Sequence, residues 1–466
     1  MSSEIAEKCQ QDHIIVTYDL AIMAMQIQEN EKPKFDNIFV NLGAFHMQIA
    51  FFKAVGKYVD SCGLVEALVQ AEVLASGSMN SFLESKHFNR CKRLHPLTAA
   101  ALQKLHFEKY LSTSNVSLEM LDDLLRTVIV NAPTFNLNDP IELPDTLNRI
   151  INGYQEFSQQ TLKGEKEKTA QYYYQYCEFI QRFSRSIRTS NFELYIDFIF
   201  NIIDLFFGLN QPNYARWSLL YLSNLIRQHT ANSSLIAEFH RGAFGIRRTQ
   251  ANFSRSPVDL TLEQTINADA NNELTNNLAV ESISARQRWA LSHSMRTKIL
   301  TAVKENIGLS KKDDTSHSLQ KSKINKDNKN LQSIIQAIKN TMNPFDDNVD
   351  KNILFNISTD KAASENVAKF LLNIKTEGHE QKLNFISECN SDSSSFEKPI
   401  KRNNILNFAS EFATKVLMNK NKTKTVILKM ERDIFGRLLA VSIKKNKYRS
   451  LLNFSFSTDA TCSFFM

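Results

Sequence analysis

Residues 13–46 read HIIVTYDLAIMAMQIQENEKPKFDNIFVNLGAFH, and the order of elements in this segment sets the architecture. His13–Tyr18 is short, β-branched and aromatic, the signature of a buried strand, and it ends at Asp19. Leu20–Glu29 has helical character. Asn37–Leu42 is a second apolar strand, closed by Gly43, and from Phe45 to about Asp60 the pattern is helical again. A strand, a helix and a second strand form the smallest parallel α/β unit, because parallel neighbours need a crossover between them.

Outward from this unit the chain reads as helix. Helical periods run through Leu64–Leu74, Leu97–Tyr110, Leu118–Val130, Leu147–Leu162, Thr169–Ile187, Phe192–Leu209, Tyr214–Arg227 and Ser234–Phe239. Few strands are expected over the 200 residues after position 44. Asn131–Pro144, with three prolines and three asparagines, reads as a loop. Further helices are expected over Asp259–Asn267 and Glu281–Val303. Ser310–Asn330 is almost free of apolar residues and reads as a linker. Beyond it come short helices at Leu331–Met342 and Lys361–Ile374, a serine-rich loop at Glu388–Lys398, and short strands at Thr425–Met430 and Leu438–Ile443. No fixed internal period is present, which argues against a solenoid. The expected fold is mainly α with a small α/β element. Its expected divisions are an α/β core over 1–62, a helical domain over 63–255, returning helices over 256–305, a linker over 306–330 and a loosely ordered basic region over 331–466.

Composition supports this class. Only 12 Gly and 9 Pro in 466 residues leave few turn-formers for an all-β fold. The net charge of +7 is uneven: residues 401–450 carry 13 Lys or Arg against three acids, so the body before them is near neutral. Such a basic end attracts nucleic acid or an anionic surface, or it is a solvated tail. The cysteines Cys9, Cys62, Cys91, Cys177, Cys389 and Cys462 are scattered and form no Cys-x-x-Cys pair, which reads as reduced thiols in an intracellular protein. Met1–Gln11 has no apolar core and reads as no secretory signal. Phe192–Leu209 is long and apolar, but Glu193, Asp197, Asn201 and Asp204 fall at helical spacing, and acids in mid-membrane are costly. A buried helix with one wet edge is the better reading, and no membrane partner is expected.

Four constellations have chemical potential. Asp19 and Gly43-Ala44-Phe45-His46 lie at the C-terminal ends of the two strands, where α/β folds hold ligands. A carboxylate there suits Mg²⁺; equally, Asp19 caps a helix and His46 makes a local hydrogen bond. Ser256-Pro257-Val258-Asp259 reads as a capping box that uses up Asp259, with Glu263 and Asn267 following on the same face. His87, Cys91 and His95 have zinc-ligand chemistry, yet spread over two helical turns they cannot all reach one ion. Arg216 and Trp217, followed by Arg241, Arg247, Arg248 and Arg255, suit phosphate contact and base stacking; otherwise they are a surface loop and a core Trp. No Walker loop, dinucleotide fingerprint, nucleophile elbow or His-Glu-x-x-His occurs, which disfavours ATP, NAD and common hydrolase chemistry.

Taken in order, several segments resemble a group of animal proteins associated with DNA transposons. They are Val40–Lys57 (VNLGAFHMQIAFFKAVGK), Gly63–Ser78 (GLVEALVQAEVLASGS), Phe88–Arg93 (FNRCKR), Asn213–Trp217 (NYARW), Phe239–Phe244 (FHRGAF), Ser256–Asn267, Met342–Asp346 (MNPFD), Pro399–Asn403 (PIKRN) and Thr425–Ile443. The group looks like ribonuclease-H-like transposases with a helical insertion, which cut and join DNA at paired metals held by acids. The resemblance implies catalytic Asp19 and Glu263, with His46 beside them, Mg²⁺ on Asp19 and Glu263 where the acidic site is intact, and an insertion over about 64–255. It implies DNA contacts at Arg216, Trp217, Arg241, Arg247, Arg248, Lys444, Lys445 and Lys447, and a nuclear location, with the cytoplasm as alternative. A first catalytic Asp would precede Asp19 by several strands, so the resemblance also implies a truncated, degenerate copy without strand cleavage. The alternative is a non-catalytic helical protein that binds proteins or DNA.

Overall fold

The computed structural model describes residues 10–18, 21–31, 33–114, 116–131, 144–163, 167–247, 255–264, 292–307 and 320–411. In chain order the first elements are β1 (Ile14–Thr17), α1 (Ala21–Asn30), β2 (Ile38–Asn41), α2 (Ala44–Tyr58), α3 (Leu64–Gln70) and α4 (Met79–Leu83). There follow α5 (Phe88–Thr113), α6 (Leu118–Asn131), α7 (Asp145–Lys163), α8 (Lys168–Thr189), α9 (Phe192–Gly208), α10 (Pro212–Ala231) and α11 (Ser233–His240). The chain continues through β3 (Gly245–Arg247), β4 (Arg255–Pro257), α12 (Val258–Leu262), α13 (His293–Asn306), α14 (Lys321–Asn340), α15 (Glu365–Ser391) and α16 (Phe408–Glu411). The protein is mainly helical, with two small two-stranded sheets among the described residues.

The strand–helix–strand unit forms where its sequence places it, although β1, expected to be buried, is only half-buried along its length. β1 and β2 pair in parallel, Ile14 opposite Ile38 and Thr17 opposite Asn41, with α1 as the crossover. All four β2 residues are buried, as expected of a strand covered on both faces. The second sheet departs from expectation: Gly245–Arg247 and Arg255–Pro257 pair antiparallel, although neither three-residue strand has a periodicity to betray it.

The chain forms two compact units, each assembled from separated segments. The first takes residues 1–54, 182–325 and 375–402. Phe39 of β2 meets the ring of Phe239 edge-on at 5.4 Å, and Phe239 stacks on Phe192 at 5.2 Å. A second cluster packs Phe51 against Phe183 and Phe198. Asn191 caps α9 by accepting the Leu194 N–H at 2.9 Å. The polar stripe of α9 leaves Glu193 and Asp197 exposed, but Asp204 is buried against Lys382 of α15 at 2.6 Å. No helix among the described residues is long and apolar enough to cross a membrane.

The second unit takes residues 55–181, 326–374 and 403–466. Tyr172 and Tyr173 of α8 are fully buried, and their hydroxyls donate to the carbonyls of Tyr58 at 2.5 Å and Cys62 at 2.6 Å. Burial pushes these phenols well above their ordinary range. Gly63 has φ +92°, and a Cβ there would sit 2.4 Å from Asn356 Oδ1. Two expectations fail in this part of the chain. Helix α14 starts at Lys321, inside the expected linker, because Ile334, Ile335 and Ile338 bury one face and a nucleated helix extends readily through polar residues. Helix α15 is 27 residues long rather than short, so the expected loosely ordered region holds substantial helix up to Glu411. The strands expected at 425–430 and 438–443 lie outside the described residues.

Candidate functional site

The C-terminal end of β2 is where chemistry-bearing residues gather. Asn41, the last residue of β2, is buried; its amide donates to Thr17 Oγ1 at 2.9 Å and its carbonyl oxygen accepts the Tyr221 hydroxyl at 2.6 Å. The ends of both strands are thereby fastened to α10. Gly43 follows, and α2 begins at Ala44 with backbone N–H groups that no intrahelical carbonyl can take.

Asp259 takes them. Its Oδ1 accepts the Phe45 N–H and its Oδ2 accepts the His46 N–H, each at 3.0 Å. The carboxylate thus caps a helix more than 200 positions away and meets the positive end of that helix dipole. Gly43 makes the approach possible, since a Cβ there would lie 2.2 Å from Asp259 Oδ2. The expected capping box is corrected accordingly. Ser256 belongs to β4, the cap position of α12 falls on Pro257 with no side-chain hydrogen bond, and Asp259 points into the core.

The same carboxylate fixes an imidazole. His46 Nδ1 lies 3.1 Å from Asp259 Oδ2, and His46 Nε2 lies 3.6 Å from Glu263 Oε1. The three side chains form a line from core to surface: Asp259 fully buried, His46 and Glu263 about one-third exposed. With Nδ1–H donated to Asp259, a neutral ring presents Nε2 as an acceptor; a protonated ring pairs with both acids. The charge of Asp259 is felt nearby. Burial, and then that charge, push the Tyr214 phenol up to about 12.

Of the expected acid-site residues, His46 and Glu263 therefore meet, and Asp19 lies outside the described residues. Asp259 was missed as a partner, because a capping box in sequence has a sufficient local explanation. Its only other sequence signal was Gly43 at a strand end. Among the described residues no three His, Cys, Asp or Glu side chains are grouped to hold a metal ion. The His87, Cys91 and His95 set is dispersed: Cys91 Sγ donates to the Phe82 carbonyl at 3.4 Å, and His95 stacks on Phe82 and bonds the Tyr176 hydroxyl through Nδ1 at 2.8 Å.

The expected DNA contacts are placed as follows. Arg216 lies over the Phe396 ring and donates to the carbonyls of Glu397 and Lys398. Trp217 is buried and meets Phe396 edge-on at 5.1 Å. Both side chains therefore hold the chain around Phe396 in place. Arg241, just past the end of α11, is exposed and pairs with Glu238 of that helix. Arg255 donates to the carbonyls of Arg241 and Gly242 at 3.1 Å, closing the end of α11. The Arg247 side chain, and Arg248, Lys444, Lys445 and Lys447 entirely, lie outside the described residues.

The chain belongs to the family described as domain of unknown function DUF8702, whose profile matches residues 1–455. No curated protein and no solved structure matches it.

Proposed function

We propose that this member of the DUF8702 family is a transposon-derived protein of the ribonuclease-H-like transposase type that acts without cutting DNA. One observation carries the reading. At the C-terminal end of a parallel strand pair, His46 is met by two acids from a helix that returns after more than 200 residues of largely helical chain. Two of the residues the transposase resemblance singles out, His46 and Glu263, meet there, with Asp259 rather than Asp19 as the second described acid, and strand C-termini are where α/β folds do chemistry.

The same geometry argues against cleavage. Paired-metal displacement needs carboxylates whose lone pairs face the ions. Asp259 is fully buried and both of its oxygens are already engaged by backbone N–H groups and His46, so it is committed to holding α2 rather than to an ion. The remaining donors described here are one carboxylate, Glu263, and one imidazole nitrogen. Among the described residues this leaves Mg²⁺, which prefers oxygen ligands, a single carboxylate where a two-metal site uses several. On this reading the protein works in the nucleus as a DNA-associated factor, with the basic stretch 401–450 supplying phosphate contacts.

The test uses the full chain and supercoiled plasmid with Mg²⁺ or Mn²⁺, beside an Asp19→Asn/Glu263→Gln variant. The expected result is equal background nicking by both proteins, and duplex DNA binding that weakens steeply with salt. Metal-dependent nicking by the natural chain that the variant lacks would overturn the proposal, as would binding indifferent to salt.

A second reading, a non-catalytic protein-interaction module, is favoured by α13. Met295, Ile299, Leu300 and Val303 of this one helix are 48–63% exposed. Glutamate at Met295 and Ile299 would leave DNA binding intact and abolish association with a protein partner, whereas the first reading expects no such loss.

A further inference from the structure

The second unit contains a cavity of about 220 Å³ that the acid site does not use. An engineered cavity of roughly 150 Å³ in another protein admits benzene, so this one has room for a small molecule. The Met342–Asp346 segment, singled out in sequence but unexplained by the site at β2, forms part of its wall through Pro344, Phe345 and Asp346.

The floor is aromatic. His106 sits between Phe157 and Phe345, with ring centroids 4.9 and 5.0 Å away. Its two nitrogens face the hydroxyls of Tyr154 and Thr161, both at 3.0 Å. Burial holds its pKa down to about 4, so the floor is uncharged at neutral pH. The rim is charged but unbalanced. Lys109 is paired with Asp347, and Lys351 with Glu167 at 3.1 Å. Both lysines are thus matched by acids, and an anion would have to displace a carboxylate to reach either. Asp346 and Asp350 remain. Each is exposed and accepts N–H groups of its own turn, from Asn348 and Asn352.

We propose that this cavity binds an alkylammonium group, with the aromatic floor facing its body and Asp346 and Asp350 matching its charge. Rings and carboxylates together are the environment organic cations prefer, because the ring faces and the acids attract the same sign of charge. The inference is independent of the reading given for the acid site.

Calorimetric titration of the full chain tests it, with 1,4-diaminobutane, Nα-acetyl-lysine methylamide and sodium phosphate as separate probes. A free amine as the source gives saturable binding of the diamine alone; a protein lysine gives binding of the capped lysine. Asp346→Asn and Asp350→Asn keep an oxygen for each turn, and each should weaken amine binding by roughly two- to fivefold. Phe157→Leu should weaken it further by removing a ring face while keeping an apolar wall. Absence of saturable binding by both amines, tighter binding of phosphate, or amine binding unchanged in all three variants would overturn the proposal.

Discussion

Replacing Asp259 tests whether the acid site is first of all a structural joint. Asp259→Ala removes the acceptor of two backbone N–H groups and of the His46 ring, all within 3.1 Å and beneath a fully buried side chain. Loss of a helix N-cap costs about 0.5–2 kcal/mol, and each buried donor left without a partner costs about 1–3 kcal/mol. These terms overlap, so the expected loss is about 3–4 kcal/mol rather than their sum. Asp259→Asn keeps the shape and one acceptor oxygen but turns an amide toward the second N–H, so about half that loss is expected. Urea unfolding followed by circular dichroism gives the global change. Hydrogen exchange at the Phe45 and His46 amides gives the local one, where about 3 kcal/mol corresponds to roughly a hundredfold faster exchange. An Asp259→Ala protein with unchanged midpoint and unchanged exchange at these two amides would refute the joint. So would an Asn variant weaker than the Ala variant.

Three further outcomes are expected. Gly43→Ala places a Cβ 2.2 Å from Asp259 Oδ2 and must push the carboxylate off its donors, costing about 2 kcal/mol or more and raising exchange at the same amides. Lys382→Met strands the buried Asp204 carboxylate, leaving it, among the described residues, His379 at 3.4 Å as the remaining charge partner, and should cost about 3 kcal/mol by denaturant unfolding. Adding Asp204→Leu should recover most of that loss, and a double variant as weak as the single would contradict it. Acidification should destabilise the second unit: the unfolded imidazole of His106 takes its proton near 6.5, whereas burial holds the folded ring down to about 4. Stability is therefore full above about pH 6.5 and falls until about pH 4, by about 3 kcal/mol for this group. His106→Gln should flatten the dependence of urea midpoint on pH across that window, and an unchanged slope would contradict the assignment.

The strand pair and most helices were legible in sequence for local reasons. Ile14–Thr17 and Ile38–Asn41 are β-branched or aromatic runs with Asp19 and Gly43 as punctuation, and the observed strands fall within one or two residues of those bounds. Helices α6 to α11 follow unbroken apolar periods. The start of α14 was illegible because Lys, Asn and Asp in its first turns look like linker composition, although Asp327 is held there by Arg93 at 2.7 Å. Helix α15 runs on through Gly378, which reads as a stop; the glycine lets α15 lie against α9, where a Cβ would meet the Asp204 carbonyl at 1.8 Å. Arg216 and Trp217 have the chemistry of a nucleic-acid contact, and residue type alone does not reveal that Phe396 engages both.

The acid site shows the same limit more sharply, and it constrains what the protein can do. A carboxylate at a strand end supports a metal only if its lone pairs are available, and sequence gives position but not lone-pair direction. Glu263 and Asp259 are four residues apart on one short helix, yet they differ in kind. Glu263 is one-third exposed and lies 3.6 Å from an imidazole, a contact worth at most about 1 kcal/mol in such a setting. Asp259 holds the first turn of α2 and the His46 ring together, so turning it toward an ion would leave the Phe45 and His46 amides without an acceptor inside the core. Helix capping is the role its geometry adopts, and among the described residues it leaves Glu263, one-third exposed beside His46, as the acid at this strand end nearest to solvent.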